Sequence, residues 1–260
     1  MKIGSKVSNR NQKINPIIII LISAITLISL RWIIIYFSYP SESLINKIIF
    51  DLRDYVYFPY IINLSNFNFS PDYLTNHITN KIITFPIYSL MFHSLIYSIF
   101  NEYSFIIAEF FIFFLFLYIF FKIFRELNTN TYFAIIFALG IFLLPELLAY
   151  FKHIKIGLIN FHILNSLYGF QIPRPFVSGI YFFWGLLLAI YYYKYRNKNY
   201  FFILIGINLA LNFGSVYYNF VILSVLFLVL FFINLFKNNK DFFLYSLKKN
   251  LLVLITFLSF

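Results

Sequence analysis

Apolar residues in this chain gather in long, nearly unbroken runs, unlike the alternation of a half-buried strand or the single stripe of a surface helix. The runs cover residues 17–37, 83–100, 104–121, 131–150 and 175–193, and a longer one covers 200–236. Most are about 20 residues long, roughly what a helix needs to cross ~30 Å of hydrocarbon. A membrane β-barrel would be written in segments of about 10 residues with alternating polarity, and the sequence has none. The pattern predicts an all-α fold, a multi-pass transmembrane helical bundle. The chain closes on "LLVLITFLSF", a run that opens at 251 and rises only ~15 Å, about half a bilayer. A truncated span, and with it a fragment of a longer protein, is expected there.

Two runs depart from a plain crossing. Residues 200–236 are long for one span and short for two, and "NFGS" at 212–215 supplies a turn signal in their middle. Paired short helices joined at that turn are predicted, entering from one side and returning to it. Backbone broken at such depth has to be covered by protein or line a cavity. Residues 83–100 contain "FPIYSLMFHSLIYSIF", in which Ser, His and Tyr interrupt the apolar positions.

Charge turns these runs into a topology. Hydrophobic residues make up 62% of the chain and charged residues 11%, with a mean hydropathy of +0.83, beyond an ordinary soluble domain. The net charge of +11 does not call for a nucleic-acid partner, because Lys and Arg punctuate the apolar runs as the positive-inside rule describes. Lys2, Lys6, Arg10 and Lys13 make residues 1–15 a cytoplasmic N-terminus and put 38–103 outside. If 83–100 crossed as well, Lys122 and Arg125 and the Lys194, Arg196 and Lys198 cluster would lie outside. If it lies on the outer surface, both groups move inside together with Lys237, Lys240, Lys248 and Lys249. The second assignment repairs three loops at once, so 83–100 is predicted to be an interfacial amphipathic helix of an extracytoplasmic first loop. The outer segments then carry Asp51, Arg53, Asp54 and Asp72 in 38–103, and Lys152, His153, Lys155, His162 and Arg174 in 151–174. The chain has no cysteine, and its histidines lack HExxH spacing, so no thiolate or zincin-type metal site is predicted.

Three ionisable residues fall inside the predicted spans: Arg31, Glu109 and Glu146. Each lies roughly 6–9 Å below the outer boundary by helical rise. A charge at that depth normally pairs or faces a wet cavity, so Arg31 is expected to pair with Glu109 or Glu146. The alternative is that Arg31 extends outward beside Trp32 and Tyr36. In "QIPRPF" (171–176), Pro175 suits the first turn of a helix. That helix would point its free amides outward beside Arg174, a plausible setting for a phosphate.

A cytoplasmic N-terminus, one span, then a long outer loop with early aspartates in "DLRDYVYFPY" (51–60) and a surface-lying helix resembles the GT-C superfamily of membrane glycosyltransferases. The resemblance covers about residues 1–236 and rests on layout. It implies transfer of sugar from a polyprenyl-phosphate carrier to a glycan or lipid acceptor outside a bilayer, with a bacterial cytoplasmic membrane as the expected location. By the same resemblance, Asp54, or else Asp51, is the catalytic base. Arg53, Lys152, His153 and Arg174 are the expected substrate and carrier-phosphate contacts. The Asp51-x-x-Asp54 spacing differs from the adjacent or alternating acidic pair of some of these families. A divalent cation therefore stays open as an alternative, and no cofactor is called for. A transporter or flippase, a polysaccharide polymerase and a non-catalytic membrane subunit remain alternatives of other classes.

Overall fold

A computed structural model describes residues 15–38, 43–51, 57–69, 86–150, 176–195, 199–237 and 241–260. Among the described residues the fold is helical and contains no strand. The helices are α1 (Pro16–Ser38), α2 (Leu44–Asp51), α3 (Phe58–Ser65), α4 (Ile87–Phe100), α5 (Ser104–Glu126), α6 (Thr131–Tyr150), α7 (Phe176–Lys194), α8 (Asn199–Phe213), α9 (Tyr217–Lys237) and α10 (Asp241–Ser259). Among the described residues two stretches are long and apolar enough to cross a membrane, Pro16–Phe37 and Ile87–Glu126. Thr131–Leu143, Asn199–Phe213 and Tyr217–Ile233 are shorter apolar helices.

The stretch Ile87–Glu126 is continuous in composition but not in backbone. Asn101 adopts φ 50° and ψ −132°, a left-handed φ that asparagine tolerates better than most residues. A short 3₁₀ turn over Asn101–Tyr103 then leads into α5. α5 ends with equal definition. Asn128 takes φ 67°, its amide donates to the Arg125 carbonyl, and the Thr129 amide reaches back to Phe124. That pair of bonds is a Schellman closure around a left-handed residue.

α5 is the central helix. Its face of Ala108, Ile112, Phe113, Phe116, Leu117, Phe120 and Phe121 is buried and packs against α1, α4, α6 and α7. One core cluster joins Ile20, Ala24 and Ile28 of α1 and Ala134 and Ala138 of α6 to that face, together with Ile180 and Phe183 of α7. A second cluster unites α7, α8 and α9 through Leu188, Tyr192, Phe202, Ile205 and Leu223. α8 also lies along α10 with no room to spare at Gly206. A Cβ there would meet the Thr256 hydroxyl and stand 2.7 Å from the Val253 carbonyl oxygen.

The long helices alternate in direction. Arg31 near the end of α1 meets Glu109 near the start of α5, so these two run antiparallel. The ring pairs Phe124–Phe137 and Phe113–Phe142 make α6 antiparallel to α5. Lys194, closing α7, contacts Glu126, closing α5, so α7 runs parallel to α5. At the opposite end Tyr88 of α4 gathers three contacts. Its amide donates to Gly214 in the α8–α9 turn, its hydroxyl donates to the Phe260 carbonyl after α10, and its own carbonyl accepts from Tyr181 of α7. α2, α3 and α4 therefore sit over the end where α1 finishes and α5 starts, as a cap. Its core is Ile48, Phe58, Ile61, Leu64, Leu90 and Phe105, with Phe58 and Phe105 stacked at 4.2 Å. Lys122 and Arg125 of α5, Lys194 of α7 and Lys237 of α9 all belong to helix ends pointing away from this cap.

Several predicted bounds shift. The helix begun at 104 continues to Glu126, and the last one begins at Asp241 rather than 251, so Lys248 and Lys249 stand inside a helix. The expected break at 212–215 is present between α8 and α9. Only α8, at 15 residues, is short; α9 has 21 residues and rises ~31 Å. α2 and α3 were not anticipated. Gly206→Ala is expected to force α8 and α10 apart and cost about 1–3 kcal/mol, as overpacking does. Thermal unfolding of the purified variant checks this, and an unshifted midpoint would contradict so close a crossing.

Candidate functional site

The most heavily constrained chemistry lies where the cap meets the bundle. Glu109 is fully buried on α5 and Arg31 keeps about a fifth of its side chain exposed. An Arg31 guanidinium nitrogen and the Trp32 indole nitrogen (2.8 Å) both donate to Glu109 Oε2. The guanidinium also lies 5.4 Å from the centre of the Trp32 ring. Neighbours one residue apart on α1 thus converge on one carboxylate, with the arginine arching over its own tryptophan. Of the two glutamates expected as partners of Arg31, Glu109 pairs with it. The Glu146 side chain lies outside the described residues.

A second cation, which the charge reading passed over, sits in the cap. Lys47 of α2 is 5% exposed. Its ammonium donates to the Tyr36 carbonyl at 3.2 Å and lies 3.8 Å from the centre of the Tyr36 ring. A cation at the last carbonyls of a helix offsets their partial negative charge, and the ring face adds an attraction that strengthens with desolvation. Lys47 therefore ties α2 to the end of α1. Its signal in the sequence was a lone lysine between asparagine and isoleucine just after the first span.

Asp51 is the last residue of α2, so its backbone belongs to the cap, one helical turn beyond Lys47. Arg53, Asp54, Asp72, Lys152, His153 and Arg174 lie outside the described residues. Of the aromatic stretch after Asp54, Tyr57 and Tyr60 are half-buried at 6.4 Å between rings and Phe58 is buried. α6 ends and α7 begins at the cap end, so both anchors of residues 151–175 stand there.

α4 corrects the amphipathic expectation. Ser89, His93 and Ser94 are buried together with Leu90, while Leu95, Ile99, Phe100 and the polar Ser98 are exposed. Three of its four Ser and His side chains thus face the protein, and its exposed residues are mostly apolar. An interfacial helix would do the reverse. With 14 residues it rises ~21 Å. Among the described residues Ser89 Oγ and His93 Nε2 find no hydrogen-bond partner, nor do Ser104 Oγ, Asn212 Oδ1 and Ser215 Oγ. No group of three potential metal ligands occurs among the described residues. Comparison with protein-family models, with curated proteins and with solved structures finds no match.

Replacing Arg31 takes the guanidinium from a fully buried carboxylate, whereas replacing Glu109 leaves a guanidinium that is about a fifth exposed. Arg31→Met alone should destabilise by about 3 kcal/mol and Glu109→Leu alone by less, and the double replacement should recover most of the larger loss. Unfolding of the two single variants and the double variant forms a mutant cycle. Simple additivity would show that the pair carries no coupling.

Proposed function

We propose that the chain is a multi-pass membrane protein whose cap end faces the extracytoplasmic side, and that it transfers sugar from a polyprenyl-phosphate carrier there. The observation that carries this reading is a cap of short helices on the end opposite Lys122, Arg125, Lys194 and Lys237, seated over the Arg31–Glu109 pair. Outward-facing apolar surface supports the membrane setting. Ile18, Ile22, Leu30 and Ile33 of α1 are exposed, as are Ile222, Val225 and Leu228 of α9 and Leu251, Ile255 and Leu258 of α10. Water-soluble monomers rarely carry continuous apolar surface of this extent. The basic helix ends opposite the cap support the orientation. Both ends of α4 meet the cap end of the bundle, which supports a helix that does not cross.

In this reading Asp54, ahead of Asp51, is the general base. An acceptor hydroxyl attacks the anomeric carbon and its proton passes to the carboxylate. The bond from that carbon to the carrier phosphate oxygen breaks, and the phosphate leaves with its negative charge. Lys152 and Arg174, with His153 and Arg53, hold that phosphate as charge develops. The rings of Tyr57 and Tyr60 offer faces on which a sugar can stack.

Two measurements test the proposal. A single cysteine at Asn101 should label from outside and one at Asn128 from the cytoplasm, since the two residues are exposed at opposite ends of the bundle; reversed labelling would overturn the orientation. Asp54→Asn should lower glycan transfer about 10²–10⁴-fold while carrier binding survives. Full activity in both Asp54→Asn and Asp51→Asn would reduce the acidic cluster to a polar collar at a helix exit.

A further inference from the structure

The end of the bundle opposite the cap holds a concentration of charge that neither the catalytic reading nor the Arg31–Glu109 pair uses. On α5, Tyr118, Lys122 and Glu126 are spaced four apart and form one row along the helix. The Lys122 ammonium lies 5.4 Å from the centre of the Tyr118 ring. α7 packs against α5 and brings its last turn to the same row. The Lys194 ammonium donates to the Glu126 carbonyl and, at 3.1 Å, to its carboxylate. The Tyr195 hydroxyl donates to that carboxylate at 3.4 Å. The Tyr191 ring is 5.8 Å from that of Tyr195, and its hydroxyl lies within electrostatic reach of both Tyr118 and Glu126. Lys122, midway along the row between those two, therefore belongs to one cluster with Lys194. Arg125 stands beside Glu126 in sequence and donates to the Thr129 carbonyl at 2.8 Å.

Lys122, Arg125 and Lys194 outnumber the one carboxylate beside them, and like charges so gathered repel. Lys122 is half-buried. Among the described residues it makes no ion pair, and a ring face is what its ammonium meets. An ammonium offers three donors. Lys194 gives two of its own to Glu126, which leaves one beside those of Lys122. What the cluster lacks is an acceptor that carries negative charge. Its setting indicates the source. Tyrosines are enriched where membrane helices leave the hydrocarbon. α6 starts at this end, held to α5 by the Phe124–Phe137 ring pair, and its Phe133, Ile136 and Phe137 are exposed, as is Ile203 near the start of α8. Cations above an outward-facing apolar wall match a molecule with an anionic head and acyl chains. We propose that the ends of α5 and α7 form a seat for an acidic phospholipid, whose phosphate oxygens accept from Lys122 and Lys194. The seat rests on the membrane setting of the proposed function, and on neither its chemistry nor its orientation.

Lipid titration tests it. The full chain is placed in nanodiscs of phosphatidylcholine containing increasing phosphatidylglycerol, and thermal unfolding is followed. The midpoint should rise with phosphatidylglycerol and saturate. Lys122→Gln should weaken that response about fivefold, the worth of one lysine at a lipid phosphate, while unfolding as the parent does in pure phosphatidylcholine. Lys248→Gln removes the same charge from α10, which packs on α8 and α9, and should weaken it less than about twofold, since exposed charges act weakly beyond the screening length. Inorganic phosphate added to phosphatidylcholine nanodiscs should not reproduce the rise. Asp54→Asn should respond as the parent does, so a failure of the catalytic assignment leaves this result standing. Equal losses in Lys122→Gln and Lys248→Gln would reduce the seat to diffuse attraction and overturn it. A rise with inorganic phosphate alone would overturn the lipid, and no preference for phosphatidylglycerol would overturn the seat. A chain that does not enter phosphatidylcholine nanodiscs at all would overturn the membrane setting and the seat with it.

Discussion

Glu109 has no solvent exposure, so the cost of burying its carboxylate has to be met by whatever lies beside it. Arg31 and Trp32 of α1 are what the fold supplies. This requirement sets the axial register of α1 on α5, because a slip by one helical turn, ~5.4 Å, would carry the guanidinium out of reach. Register matters beyond this pair, since α5 also touches α4, α6 and α7. Non-directional packing of isoleucine and phenylalanine tolerates sliding. A buried carboxylate that accepts from a guanidinium and an indole does not. The end of α1 is then held a second time, by Lys47 on the Tyr36 carbonyl, and the cap follows from those two polar locks.

The long elements were legible because apolar run length is a coarse, robust signal. The helix over 131–150 was read with its observed bounds, and those over 17–37 and 175–193 to within one residue at each end. The Arg31 pairing was legible for a related reason: depth along a helix can be counted, and a charge at depth restricts its options. Which glutamate answers was not legible, because depth says nothing about azimuth around the bundle. α2 and α3 were missed since eight-residue helices leave little periodicity to detect. Their helicity comes from packing on Leu90 and Phe105, contacts distant in sequence. Lys47 was missed on the same ground, because its meaning depends on a carbonyl eleven residues earlier. For the acidic cluster, Asp51 is described only as the last residue of α2, while Arg53 and Asp54 lie outside the described residues.

α4 marks where pattern reading meets its physical limit. Polar residues interleaved with apolar ones announce that a helix has two faces, but not which face meets which medium. The rule that the polar face seeks water holds when water is the surrounding solvent. If the surroundings are hydrocarbon, the stable arrangement reverses, because a buried polar side can find partners in protein and none in lipid. Here Ser89 and His93 lie inside beside Leu90, and Leu95 and Ile99 lie outside beside Ser98, an arrangement that residue pattern alone did not determine. A cap helix held by apolar contact alone could slide across the bundle end. α4 is held by directional bonds at one residue, with the Tyr88 amide, carbonyl and hydroxyl each engaged by a different helix or turn.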